Sequence, residues 1–153
     1  MKRLFVQGNM ITMCSDHIGG IVGELVLKYF LKNRLIEVTD GGVFLTEKGV
    51  EELEMMGIEC SLLVSPSYIQ ICHEQDFGIV YEHLGGTLGK LFLNRLCELG
   101  WVLPRDNESY FFTHKGLEGF TTLGIDLKKF HPNYDQHENN LQKKVEKYDD
   151  PSE

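Results

Sequence analysis

The chain repeats itself, and that limits what it can fold into. With His17 set on His83, Gly19, Gly20 and Gly23 fall on Gly85, Gly86 and Gly89. Leu25 and Leu27 fall on Leu91 and Leu93, and Leu35-Ile36 falls on Trp101-Val102. After one inserted residue, Thr46, Lys48, Gly49 and Glu51 match Thr113, Lys115, Gly116 and Glu118, and Gly57-Ile58 matches Gly124-Ile125. Matches spread over about 45 residues with one insertion mark an internal duplication, and two copies are too few for a solenoid. Two similar lobes packed together are expected.

Both copies share a local grammar. A long apolar helix is predicted near 17–33 and again near 83–99. Ile18, Val22, Leu25 and Tyr29 form one face, widened by Val26, Leu27, Phe30 and Leu31, so the helix is buried on more than one side. A hairpin follows. In the first copy it turns at Thr39-Asp40-Gly41-Gly42, and Asp-Gly is a strong two-residue hairpin signal. In the second copy the loop is longer, Pro104 to Ser109. Thr46 and Thr113 then offer hydroxyl N-caps to short helices, which Gly57 and Gly124 stop. Helix, hairpin and helix in this order are the back half of a winged helix. The fold expected is therefore α+β, mainly helical, with two tandem winged-helix-like repeats packed together. Residues 14–59 and 80–127 would be the repeats, 1–13 an N-terminal segment, 60–79 a connector with a turn at Ser65-Pro66-Ser67, and 128–153 a polar, flexible tail with a short helix near 141–148.

The glycines need a reason, because each one inside a helix costs about 1 kcal/mol relative to alanine. Gly19 and Gly23, like Gly85 and Gly89, are four apart and would share a helix face. The favoured reading is a bare face that admits the equivalent helix across a pseudo-twofold axis. A loose helix start at Gly19-Gly20 is the second reading. A phosphate-binding turn is the weakest, since no P-loop Lys-Ser/Thr follows.

His17 and His83 each follow an acid, Asp16 or Glu82, at an expected helix N-terminus. The commoner role for such a histidine is structural, tying the helix start to a backbone carbonyl. The other is a ligand for a transition metal, His17 with Cys14 and His83 with Cys72 or His73, because Cys-x-x-His is a workable spacing for zinc-like ions. In the aligned second copy Val80 stands where the first has Cys14. Cys60 and Cys97 read as small core residues. Glu74 and Asp76 read as a solvated loop. No nucleophile–base set emerges, and the chain reads as a non-enzyme.

Composition bounds the partners. A formal net charge of −8 opposes general phosphate attraction. Residues 1–127 alone carry 10 Lys+Arg against 17 Asp+Glu, so the acidity belongs to the part expected to fold. The four cysteines show no CxxC spacing, no stretch reads as a membrane span, and no signal peptide is recognised. A reducing cytoplasm is the expected setting.

The stretch Cys14-Ser15-Asp16-His17-Ile18-Gly19-Gly20-Ile21-Val22-Gly23 resembles the Cys-x-Asp-His-x-x-Gly-x-x-Gly stretch in the C-terminal half of some ArsR-like bacterial transcriptional regulators. There too a hairpin and a Leu-Thr-x-x-Gly helix follow, here Leu45-Thr46-Glu47-Lys48-Gly49. A second His-Leu-x-Gly-x-Leu-Gly stands here as His83-Leu84-Gly85-Gly86-Thr87-Leu88-Gly89. The likeness spans about residues 14–127. The family's Asp-Trp-x-Glu-Arg run is replaced by Asp76-Phe77-Gly78-Ile79-Val80, and with the motif so near residue 1 the family's DNA-reading domain is expected to be absent. The resemblance implies an accessory module for dimerisation or effector sensing, with a second copy or another protein as partner and no membrane. The alternatives are a tandem DNA reader using Lys28, Lys32, Arg34, Lys90, Asn94 and Arg95, and a protein-interaction adaptor.

Overall fold

The computed structural model describes residues 10–61, 63, 68–76, 78–107 and 109–127. The Ser65-Pro66-Ser67 turn, the N-terminal nine residues and the polar tail with its expected helix lie outside the described residues.

Each copy forms a hairpin, a long helix, a second hairpin and a short helix. In the first copy these are β1 (Met10–Cys14) with β2 (His17–Ile18), α1 (Gly20–Lys32), β3 (Ile36–Thr39) with β4 (Gly42–Leu45), and α2 (Glu47–Met55). In the second they are β5 (Gln70–Asp76) with β6 (Ile79–Gly85), α3 (Gly86–Glu98), β7 (Val102–Pro104) with β8 (Ser109–Phe112), and α4 (His114–Thr122). All strand pairs are antiparallel.

This corrects the expected fold. The chain is α+β with antiparallel sheet throughout, neither mainly helical nor a pair of winged helices. The apolar pattern does not reveal the leading hairpins, and they change the architecture. β1 lies in the expected N-terminal segment, and β5 in the expected connector. β1 pairs with β8 of the other copy, Ile11 opposite Tyr110, giving a four-stranded sheet in the order β2-β1-β8-β7. A strand of the first copy thus completes the sheet of the second, and the two do not stand as separate lobes.

The short-range signals are met. Thr39 opposes Gly42 across the Asp40-Gly41 turn. Thr46 Oγ accepts from Gly49 N at 2.9 Å and donates to Arg34 O at 2.6 Å. Thr113 does the same with Gly116 N at 2.9 Å and Gly100 O at 2.6 Å. Each hydroxyl caps a short helix and ties it to the end of the preceding long one.

The long helices are central. α1 buries Val22, Val26, Leu27 and Phe30, and α3 buries Leu88, Phe92, Leu93 and Leu96. Phe30 and Phe92 meet edge to face with ring centroids 5.3 Å apart. Both helices begin three residues later than the apolar pattern predicts. Gly19 and Gly85 are extended N-caps, and Gly20 and Gly86 follow with φ of 61° and 69°. That left-handed step turns the chain sharply from strand into helix and is cheap only for glycine. His17 and His83 are therefore strand residues and not helix starts.

The bare glycine faces receive strands, which corrects the expected helix crossing. A Cβ on Gly23 would meet Ile18 O at 2.5 Å and His83 Cβ at 2.9 Å. A Cβ on Gly89 would meet Leu84 O at 2.8 Å and His17 Cβ at 3.2 Å. Each long helix thus seats the histidine of the opposite copy, and this reciprocal exchange is what the second glycine of each pair permits.

Candidate metal centre

The two leading hairpins place the same residue types in the same relation. In β1 and β2 Cys14 opposes His17 across a two-residue turn. In β5 and β6 Cys72 opposes His83, with ten residues between them. Opposed residues of an antiparallel pair project to the same face. The structural counterpart of Cys14 is thus Cys72 and not Val80. Alignment by sequence missed it because the second hairpin has grown between its cysteine and its histidine.

The helices bring the two hairpins together. His83 is fully buried and His17 nearly so. Their rings lie 5.0 Å apart between centroids, and the two Nε2 atoms are 3.1 Å apart. Cys14 joins them: the donor atoms of Cys14, His17 and His83 all lie within 4.8 Å of one another. The cysteines are half-buried, so the cluster has a dry side at the imidazoles and a wetter side at the sulfurs.

A carboxylate backs each ring. Asp16 Oδ1 lies 3.0 Å from His17 Nδ1, and Glu74 Oε1 lies 3.2 Å from His83 Nδ1, the latter at ion-pair distance without good hydrogen-bond alignment. Both acids stand two residues after their cysteine, in Cys14-Ser15-Asp16 and Cys72-His73-Glu74. A carboxylate only accepts, so it favours the proton on Nδ1. With that proton on His17 Nδ1, His17 Nε2 carries a lone pair that faces His83 Nε2. Either a hydrogen on His83 Nε2 or a metal ion between the rings can meet that lone pair. Histidine ligands typically carry such a carboxylate on the other nitrogen, which fixes the tautomer and raises ligand basicity.

The surrounding charges agree. The His17 hydrogen bond holds the Asp16 carboxyl below the usual range, against an opposing effect of partial burial. Burial pushes the Cys72 thiol up, and the charges of Cys14, Glu74 and Asp16 push it further. Asp16 and Glu74 thus place carboxylate charge beside the cluster.

The remaining glycines clear this space. A Cβ on Gly85 would meet Cys72 Sγ at 2.5 Å and His17 Nε2 at 3.1 Å. A Cβ on Gly19 would meet Glu74 Oε1 at 2.6 Å. The same Glu74 oxygen accepts from Gly20 N at 2.6 Å, so the second copy caps the helix of the first. Glu74 is therefore a site residue, not part of a solvated loop. The shared Cys-x-acid triplet could have found it.

His73 and Glu82 are on the other face of their hairpin. Both are exposed, with Nε2 and Oε2 3.6 Å apart. His73 is set aside as a ligand of this cluster by strand alternation. Cys60 is buried, and Cys97 packs against the core away from the cluster.

The candidate DNA-contacting residues do not form one basic strip. Lys28 pairs with Glu24 at 3.5 Å, and Lys28 and Lys32 border an open groove with Tyr29 and Asp126. Arg34 is exposed past the end of α1. Lys90 and Asn94 are exposed on α3. Arg95 turns back to Met56 O of the first copy and lies 3.7 Å from Glu98.

Comparison of the chain with protein-family models, curated proteins and solved structures finds no match. Among the described residues no helix is long and apolar enough to cross a membrane.

Proposed function

We propose that this chain is a non-catalytic effector-sensing module of the transcription-regulator type, and that its effector is a transition-metal ion taken by Cys14, His17 and His83. The observation that carries the reading is the buried imidazole pair, Nε2 to Nε2 at 3.1 Å, with a carboxylate behind each ring. Two nitrogens bound to one tetrahedral zinc ion at its usual bond lengths stand about 3.3 Å apart. The pair is therefore already within a few tenths of an ångström of ligand spacing, with a thiol at hand.

The location supports sensing over catalysis. His17 comes from one copy and His83 from the other, so an ion here would clamp the two copies and shift any equilibrium in which they move apart. Direct DNA reading is the weaker alternative. The long helices it would use are core elements, and the net charge is −8.

Titration of the metal-free chain with zinc, with equilibrium dialysis as the readout, tests the reading. One ion per chain is expected, lost in His17→Asn and His83→Asn. Stoichiometric binding that survives both substitutions would overturn it. A labelled random duplex at low salt should show no binding, whereas micromolar binding that weakens steeply with salt would favour the DNA reader.

A further inference from the structure

Resting on that metal reading, we infer that Cys72 is the fourth ligand, and that the site is a closed Cys2His2 centre built from two equivalent Cys–His pairs, one from each copy. Among the described residues the donor atoms that all lie within 4.8 Å of one another are those of Cys14, His17 and His83, and Cys72 Sγ stands beyond that limit from at least one of them. Three observations add Cys72.

The first is register. Cys72 opposes His83 as Cys14 opposes His17, so a pseudo-twofold operation that exchanges the histidines also exchanges the cysteines. The second is position. The point 2.5 Å from Cys72 Sγ and 3.1 Å from His17 Nε2 is the place a Gly85 side chain would occupy. The sulfur and the opposite copy's donor nitrogen therefore border one small space that glycine keeps open. The third is the shared backing: each cysteine is followed two residues later by the carboxylate that faces the histidine of its own hairpin.

The chemistry selects the ion class. Two thiolates and two neutral imidazoles balance a divalent cation without further charge, and a tetrahedral set of two sulfurs and two nitrogens suits zinc-like ions. A three-ligand site would keep an open position for water or substrate, as catalytic zinc does. The fourth ligand closes that position, which accords with a regulatory role. Binding would release the thiol protons, since the thiolate is the ligand form. Asp16 and Glu74 are positioning residues that hold Nε2 toward the ion.

Cobalt(II) is the probe, because its visible spectrum reports coordination number and its near-ultraviolet thiolate-to-cobalt absorbance scales with the number of bound sulfurs. The chain should bind one cobalt ion with strong tetrahedral bands and a two-thiolate charge-transfer intensity. Cys72→Ser should still bind the ion but lose about half of that charge-transfer intensity, with affinity weakened by roughly 100-fold or more, beyond what loss of an outer-shell partner costs. Cys14→Ser should behave alike. Cys72 is half-buried, and the unchanged far-ultraviolet spectrum of each variant checks its fold. A Cys72→Ser spectrum and affinity equal to the parent's would overturn the fourth ligand and leave the three-donor reading standing. Failure of the parent chain to bind cobalt would overturn both.

Discussion

Substitution of Gly85 by alanine separates a glycine kept for packing from one kept for a ligand site. Gly85 is extended, with φ −127° and ψ −155°, so its backbone does not require glycine. The new Cβ would meet Cys72 Sγ at 2.5 Å and His17 Nε2 at 3.1 Å. Of these, the sulfur is the tip of a side chain that can rotate. Displacing it costs about 1 kcal/mol, and replacing glycine in the unfolded chain returns about 0.4–1 kcal/mol. The metal-free stabilities of parent and variant should therefore agree within roughly 1 kcal/mol. Metal affinity should not, because a displaced sulfur and a crowded imidazole leave the ligand geometry; a loss of roughly 30-fold is expected, within the range of site perturbations. With free zinc at 100 times the parent dissociation constant, zinc stabilises the parent by about 2.7 kcal/mol and the variant by about 0.9 kcal/mol. For a chain of this length these are roughly 8 °C and 3 °C of melting temperature. Paired thermal melts with chelator and with zinc measure both. An alanine variant that melts far below the parent without metal would mean that Gly85 serves packing. A variant with the parent's full zinc shift would refute the argument that this glycine clears the metal site.

Three further outcomes test the fold itself. A Cβ on Gly49 or Gly116 would land on the carbonyl oxygen of Leu35 or Trp101, which cannot rotate away; alanine at either position should cost roughly 2–3 kcal/mol despite the ~1 kcal/mol gain in helix propensity, and a parent-like urea midpoint would contradict the close approach. Thr46→Ala and Thr113→Ala should each cost about 1–2 kcal/mol in denaturant melts, since each removes a cap, and clearly unequal costs would break the equivalence of the two copies. Burial and then the nearby Glu52 charge push the Tyr29 hydroxyl up to about 12. Because the folded value lies above the unfolded value of about 10, this contribution to stability is complete below pH 10 and lost as pH rises toward 12; Glu52→Gln should lower the ultraviolet titration midpoint of Tyr29, and no shift would remove Glu52 as a cause.

Much of the candidate site was visible as residue types but not as an arrangement. Cys14, His17, Cys72 and His83 are all legible in the sequence as candidate ligands. The pairing of Cys72 with His83 is not, because ten intervening residues break the alignment that brings Cys14 next to His17. Glu74 looks like one more acid beside Asp76 until β5 turns it inward, where it faces His83 and caps α1. In sequence His73 and Cys72 are equivalent candidates, and only strand alternation places His73 outside.

The chain by itself determines whatever acts over a few residues. Asp40-Gly41 makes its turn, Thr46 and Thr113 cap their helices, and Gly20 and Gly86 turn strand into helix, because each depends on one residue's own dihedral preference or on a hydroxyl's reach to an amide three positions on. The duplication, too, is written in the sequence. Which copy supplies which neighbour is decided only by tertiary structure. β1 joins β8, Gly23 seats His83 and Gly89 seats His17, through contacts between residues sixty or more positions apart. Their partners are chosen by the packing of the whole core, and local pattern carries no record of that choice. The proposed metal site lies where that exchange takes place.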